Sequence, residues 1–335
     1  MDGRYTTETK TALEAVAEAA RLCQRVGSGI EAQALEKRDR SPVTIADFGS
    51  QALICRALRR VFPGVSIIAE EDTGELVKPE NQPLVAQLVR YVSELRPGTT
   101  AEELLGWIDW AGAEPDPSYF WTLDPLDGTK GFLRGDQYAI SLCLVVGGEL
   151  VVAALGCPRM AGTSSRGRVF GAARGLGAFQ LPLDLAGERE PIRVSDVSEP
   201  SAVRFTESFE PSHSTHEVSA RIAEHLGIVA EPVRLDSQVK YGAVARGDLD
   251  AYLLLPFDAR RRFRPQNIWD HAGGTLVVTE AGGRVTDIEG NPLDFTQGRT
   301  LARNRGVVAS NGRVHDSVLE AMAALGLGTL ELPQT

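Results

Sequence analysis

Apolar residues recur at helical spacing at Leu13, Val16, Ala20 and Cys23, and Gly27 and Gly29 stop the pattern. The stretch from about Thr7 to Val26 therefore predicts an amphipathic helix. The polar run from Glu31 to Arg40 has no period and reads as a loop, a solvated connector or a functional lid. Ser41, Pro42, Val43 and Thr44 lead into a second helix through Phe48, Ile54, Leu58 and Val61, ended by Pro63 and Gly64. Val65 to Ala69 is a short strand. Pro83 to Leu95 places Leu84, Leu88 and Leu95 on one face, and Thr100 with Glu103 offers a capping box for a further helix.

Trp121, Thr122 and Leu123 read as the end of a buried strand. Gln137 to Val146 and Glu149 to Cys157 flank Gly147 and Gly148, a strong antiparallel hairpin signal. Arg168 to Ala173 and Ala178 to Gln180, joined across Gly175 and Gly177, extend the same sheet, and polar Pro182 to Pro191 leads into a second lobe. There, short strands (Ile192 to Val194, Val203 to Phe205, Val233 to Asp236, Ala251 to Leu255, Val307 to Ala309) alternate with helical patterns. Val218, Ile222 and Leu226 form one such pattern, and Ala272 to Ala281 before Gly282 and Gly283 another. This alternation predicts an α/β layer with a partly parallel sheet.

Acidic residues fall where these elements begin and end. After Leu123 come Asp124, Pro125, Leu126, Asp127, Gly128 and Thr129 without a gap, and the proline and glycine argue for a sharp turn that aims both acids at one point. Mg2+ takes a few such oxygens at about 2.1 Å and keeps positions for water and substrate phosphate. If a helix starts at Gly128 and Thr129, its first amides add an anion site. An acidic turn with a capping threonine is the alternative. Asp47 lies three residues after Thr44, where an acid also favours a helix N-terminus. Glu70, Glu71 and Asp72 repel one another unless solvent or a cation absorbs the charge. Asp270 heads the Ala272 helix and can be read as its N-cap.

The 335 residues, 43% hydrophobic and 24% charged, are ordinary for a globular enzyme and permit one large catalytic unit with two lobes or two modest domains. A net charge of -10 argues against a general basic face for a nucleic-acid polymer, but not against a small anionic substrate, because bound cations reverse the local field. Cys23, Cys55, Cys143 and Cys157 lie far apart in apolar segments, as reduced cysteines of a cytoplasmic protein do. Neither a signal peptide nor an apolar run of membrane-spanning length is visible.

Taken together, Ala69-Glu70-Glu71-Asp72, Leu123-Asp124-Pro125-Leu126-Asp127-Gly128-Thr129 and Ile268-Trp269-Asp270-His271-Ala272-Gly273 resemble the inositol monophosphatase superfamily of metal-dependent phosphomonoesterases. Four further segments resemble its 3'(2'),5'-bisphosphate nucleotidases: Ser41 to Asp47, Thr129 to Gly135, His213-Ser214-Thr215-His216, and Leu235 to Tyr241. The resemblance implies a two-lobed, layered αβαβα sandwich of the sugar-phosphatase type. Its N-terminal metal-binding lobe (1–185) would hold a mainly antiparallel sheet and its C-terminal substrate lobe (186–335) a mixed one, with the site at the junction. It further implies two or three Mg2+ ions on Glu70, Asp124, Asp127, Asp270 and the carbonyl of Leu126. Asp47 and Thr129 would orient and deprotonate the attacking water, and Gly128, Thr129, His213, Ser237, Lys240 and Asp270 would meet the substrate.

The substrate so implied is adenosine 3',5'-bisphosphate, with Li+ and Na+ as inhibitors; an inositol phosphate or sugar bisphosphate is the alternative. Ser237 and Lys240, three apart, would share a helix face near its N-terminus. One departure concerns Leu254, which stands where that family usually carries an arginine, and Arg260, Arg261, Arg262 and Arg264 nearby could compensate. Phosphatases with an aspartyl nucleophile need Asp-x-Asp, a spacing that Asp124 and Asp127 do not have. A non-catalytic nucleotide sensor is disfavoured by the joint presence of Asp47, Glu70, Asp124, Asp127, Thr129 and Asp270.

Overall fold

Helix α1 (Thr6–Ser28) buries Leu13, Val16, Ala20 and Cys23 along the face that the periodicity marks. In the computed structural model the described residues are 5–28, 34–36, 42–112, 118–160, 167–209, 216–257 and 263–327. Strand β1 (Ala34–Glu36) pairs antiparallel with β2 (Pro42–Thr44), so the aperiodic run expected to be a loop contains a strand. Three residues are too few for period-2 alternation to register. Helix α2 (Ile45–Val61) opens on a complete capping box between Thr44 and Asp47.

Strand β3 (Ser66–Ala69), helices α3 (Gln82–Leu95) and α4 (Ala101–Asp109), strand β4 (Tyr119–Asp127) and helix α5 (Thr129–Arg134) follow. Then come β5 (Ala139–Val146), β6 (Glu149–Cys157), β7 (Arg168–Ala173), β8 (Gly177–Pro182) and β9 (Glu190–Pro191). Among the described residues β3 to β9 form one seven-stranded sheet in sequential order. Only β3 and β4 run parallel in it.

The second half contributes β10 (Phe205–Ser208), α6 (His216–His225), β11 (Val233–Leu235), α7 (Val239–Ala245), β12 (Ala251–Leu254), α8 (Ala272–Glu280), β13 (Arg284–Thr286), β14 (Val307–Ser310) and α9 (His315–Ala324). Its described strands make a mixed sheet in the order β11-β10-β12-β14-β13. Ile192 to Val194, expected as a strand of this lobe, instead hangs on single bonds from the Ile192 amide to Ala178 and from the Val194 amide to Ala281. The short edge strand β13 was not expected.

Stacking follows from which faces are apolar. Helices α1 and α2 cover one face of the first sheet, α7 and α8 fill the space between the sheets, and α6 and α9 lie outside the second. This is the αβαβα sandwich. Helix α8, pressed between two sheets, is apolar almost all round, with Leu276, Val277 and Val278 buried. Its two glycines permit the contact: a Cβ at Gly273 would stand 2.3 Å from Ser141 Oγ, and one at Gly274 2.3 Å from the Tyr241 ring. Among the described residues no helix is long and apolar enough to cross a membrane.

Candidate active site

Strand β4 delivers the central acids, but not through the expected turn. Pro125 stays within the strand, and the register with β5 shifts between the Asp124↔Ser141 and Asp127↔Ala139 pairs. A bulge tolerates a residue without an N–H, and it re-aims the side chains on either side. Gly128 then takes φ 89°, ψ 43°, a left-handed conformation that a side chain would strain, and α5 begins at Thr129 as expected. Thr129 Oγ1 lies 3.1 Å from Asp47 Oδ1 and 3.4 Å from the Leu126 carbonyl oxygen. The other oxygen of Asp47 accepts from the Thr44 amide at 2.8 Å and the Thr44 hydroxyl at 2.6 Å. One carboxylate oxygen of Asp47 thus completes the capping box of α2 and the other meets Thr129.

Glu70 leaves the end of β3, beside β4. The backbone next to it is clamped by buried Gln51, which accepts from the Glu71 amide at 3.1 Å and donates to the Glu71 carbonyl at 2.6 Å. Arg299 donates to the Ala69 carbonyl at 2.6 Å and lies over the Trp269 ring at 4.7 Å. Its own carbonyl accepts from the Ile268 amide at 3.0 Å, so Arg299 joins the Glu70 segment to the Asp270 segment. Asp270 closes a short 3-10 turn, Ile268–Asp270. The residue at the N-cap of α8 is His271, which makes no side-chain capping bond, so Asp270 is not the N-cap. Its carboxyl instead reaches Asn267 at 3.4 Å and the carboxyl of Asp124.

These groups open on one cleft of about 650 Å³, lined by Glu70, Asp124, Leu126, Asp127, Gly128, Thr129, Ser237, Lys240 and Asp270. Asp47 stands behind Thr129. His213 lies outside the described residues, as do Arg260, Arg261 and Arg262. Leu254 lines the cleft together with Arg264, which is exposed. Ser237 corrects an expectation: at φ 63° it precedes α7 rather than sharing a helix face with Lys240. Lys240, within α7, is buried. It is 3% exposed, donates to the Leu235 carbonyl at 3.2 Å and faces the Tyr252 ring at 5.1 Å. Burial lowers its ammonium to about 8 against the pull of Asp127 and Asp236.

The carboxyl of Asp270 is pushed well up, first by desolvation and then by the charges of Asp127 and Glu70. That of Asp127 is raised by desolvation, with Lys240 and the Gln238 amide opposing. Acids gathered this way call for a cation, and an all-oxygen donor set suits Mg2+. Among the described residues no three His, Cys, Asp or Glu side chains form a ready-made cage. Mg2+ is ordinarily held by one or two carboxylates with waters and substrate phosphate rather than by such a cage, so the donor set fits. His271, hydrogen-bonded through Nδ1 to Tyr241 at 2.8 Å, is lowered by burial to about 3 and stays neutral. Gln51, Gln238, Arg299 and His271 were not singled out in the sequence. Gln238 and His271 do lie inside the two motif segments quoted above.

A matching family model places the chain in the inositol monophosphatase family, over residues 4–326, and the chain belongs to that family. Within it, the chain is 42% identical over 341 residues to the 3'(2'),5'-bisphosphate nucleotidase of Oryza sativa, with 95% of this chain and 94% of the relative covered. It is 40% identical over 344 residues to the enzyme of the same name from Schizosaccharomyces pombe, with 96% of each covered. Among solved structures, the inositol monophosphatase of Anabaena superposes with a TM-score of 0.62 at 25% identity, covering 95% of this chain and 96% of that one. The Thermotoga maritima IMPase, at 21% identity and TM-score 0.66 over 96% and 98% of the chains, supports the fold alone.

Proposed function

We propose that this protein is a Mg2+-dependent 3'(2'),5'-bisphosphate nucleotidase that hydrolyses adenosine 3',5'-bisphosphate to AMP and phosphate. The observation that carries the reading is the Thr129 hydroxyl held 3.1 Å from Asp47, on the rim of a cleft into which four acids from three separate segments open. Glu70, Asp124, Asp127, Asp270 and the Leu126 carbonyl would hold two or three Mg2+ ions, which when bound neutralise phosphate charge and acidify water. Thr129 donates its proton to Asp47, leaving its oxygen lone pairs to accept a proton from the attacking water. The carboxylate supplies the basicity that an isolated hydroxyl lacks. The Thr44 amide and hydroxyl hold one Asp47 oxygen and so help to orient the other toward Thr129.

Lys240, with Gly128 and Ser237 beside it, would meet a substrate phosphate from the second lobe, and His213 belongs to the same proposed contact set. Freely diffusing nucleotide in the cytoplasm suits four buried, unpaired cysteines. Li+ and Na+ would inhibit by taking a Mg2+ position. Leu254 favours a second reading, an inositol phosphate or sugar bisphosphate phosphatase, because an alkyl chain forgoes charge-assisted hydrogen bonds of about 1.5 to 3 kcal/mol each. Phosphate release from adenosine 3',5'-bisphosphate and inositol 1-phosphate separates the two. A higher kcat/KM for the nucleotide supports the first reading, and the reverse order overturns it.

A further inference from the structure

Gln238 is 2% exposed and stands between Ser237, at φ 63°, and helix α7. Its backbone amide donates to Asp127 Oδ2 at 2.6 Å. Its side-chain Nε2 donates to the Trp269 carbonyl at 3.0 Å. Its Oε1 accepts from Ser141 Oγ at 2.9 Å and from the Gly274 amide at 3.2 Å. One buried residue thus holds an Asp127 carboxylate oxygen, the carbonyl immediately before Asp270, the first turn of α8, and the residue of β5 that pairs with Asp124.

The orientation of this amide is determined. Nitrogen faces the Trp269 carbonyl and oxygen faces the Gly274 amide, so a flipped amide would oppose like groups at both of these backbone contacts, while the Ser141 hydroxyl can serve either orientation. The network is also closely packed: a Cβ at Gly273 would stand 2.3 Å from Ser141 Oγ.

We propose that Gln238 is a positioning residue that fixes the Asp270 segment against Asp127, and thereby sets the affinity of the cleft for a divalent cation. The inference rests on the reading of Asp127 and Asp270 as cation ligands. Two like-charged carboxylates drift apart unless their supports are tied. Asp127 is tied through its side chain, and Asp270 through the carbonyl of its neighbour. The backbone amide of Gln238 holds Asp127 with help from its side chain, and the side chain alone holds the Asp270 segment, so a substitution at 238 keeps the backbone tie to Asp127 and removes the tie to the Asp270 segment.

The test is direct Mn2+ binding to the purified full-length protein by electron paramagnetic resonance, with thermal unfolding measured in parallel. Gln238→Met keeps the volume and the backbone amide but loses the side-chain hydrogen bonds. It is expected to weaken Mn2+ binding by about 10- to 100-fold, the usual consequence of losing a partner that orients metal ligands. Ser141→Ala, which removes one anchor of the same amide, is expected to weaken it by a smaller factor and decides the matter if Gln238→Met does not fold. A purely structural role would lower the unfolding temperature and leave Mn2+ affinity within twofold of wild type, and that result overturns the proposal. Asp127→Asn is the control: if it binds Mn2+ like wild type, the ligand reading itself fails, and the inference with it.

Discussion

Asp47 uses its two oxygens differently, and substitution separates the uses. In Asp47→Asn the amide oxygen can still accept from Thr44, but Thr129 loses its carboxylate. Turnover is expected to fall about 10²- to 10⁴-fold with Mg2+ binding near wild type. Asp127→Asn, by contrast, should weaken both turnover and Mg2+ binding. Steady-state kinetics beside calorimetric Mg2+ titration distinguish them, and equal loss of affinity in the two variants would contradict the division. Lys240→Met removes a buried ammonium proposed to meet phosphate. Its KM for adenosine 3',5'-bisphosphate is expected to rise at least about tenfold, since one charge-assisted hydrogen bond contributes about 1.5 to 3 kcal/mol. An unchanged KM would return Lys240 to a packing role over Tyr252.

Elements position these residues by close approach. Gly274→Ala would place a methyl 2.3 Å from the Tyr241 ring, between α7 and α8. The expected cost is about 1 to 3 kcal/mol, read as a lower urea midpoint with an unchanged slope; no shift would mean that the helices separate freely. The long periodic elements were legible in the sequence: α1, α2, and the hairpin of β5 and β6 around Gly147 and Gly148. Among the short ones, β1 and β13 were not: each has three residues, too few for alternation to register. Pro125 read as a turn because a bulge depends on the partner strand, which the local sequence does not contain. The acids that line the cleft were legible as carboxylates at element ends only when taken together, because singly Asp270 reads as an N-cap and Glu70 to Asp72 as a solvated turn. Gln238 and Arg299 were not, because their roles lie in backbone carbonyls and amides of remote segments.

For the whole molecule, His315 joins α9 to the second sheet. It sits between the hydroxyls of Thr286 and Ser310, each at 2.8 Å, and is 0% exposed. Burial lowers its pKa from 6.5 to about 4. Below pH 6.5 the unfolded chain takes up a proton that the folded one refuses, so this stability is full above 6.5 and is lost as pH falls toward 4. The loss is on the order of 3 kcal/mol. Urea unfolding at pH 7.5 and 4.5 should show a larger drop for wild type than for His315→Gln, and equal drops would refute the assignment. We propose that lobes 1–185 and 186–335 act as one catalytic unit because Glu70, Asp124 and Asp127 come from the first and Asp270 from the second. A crystal structure with Mn2+, located by anomalous scattering, tests that claim most directly. The account predicts ions bound jointly by Glu70, Asp124, the Leu126 carbonyl, Asp127 and Asp270; ions confined to one lobe, or absent from this cleft at saturating Mn2+, would contradict it.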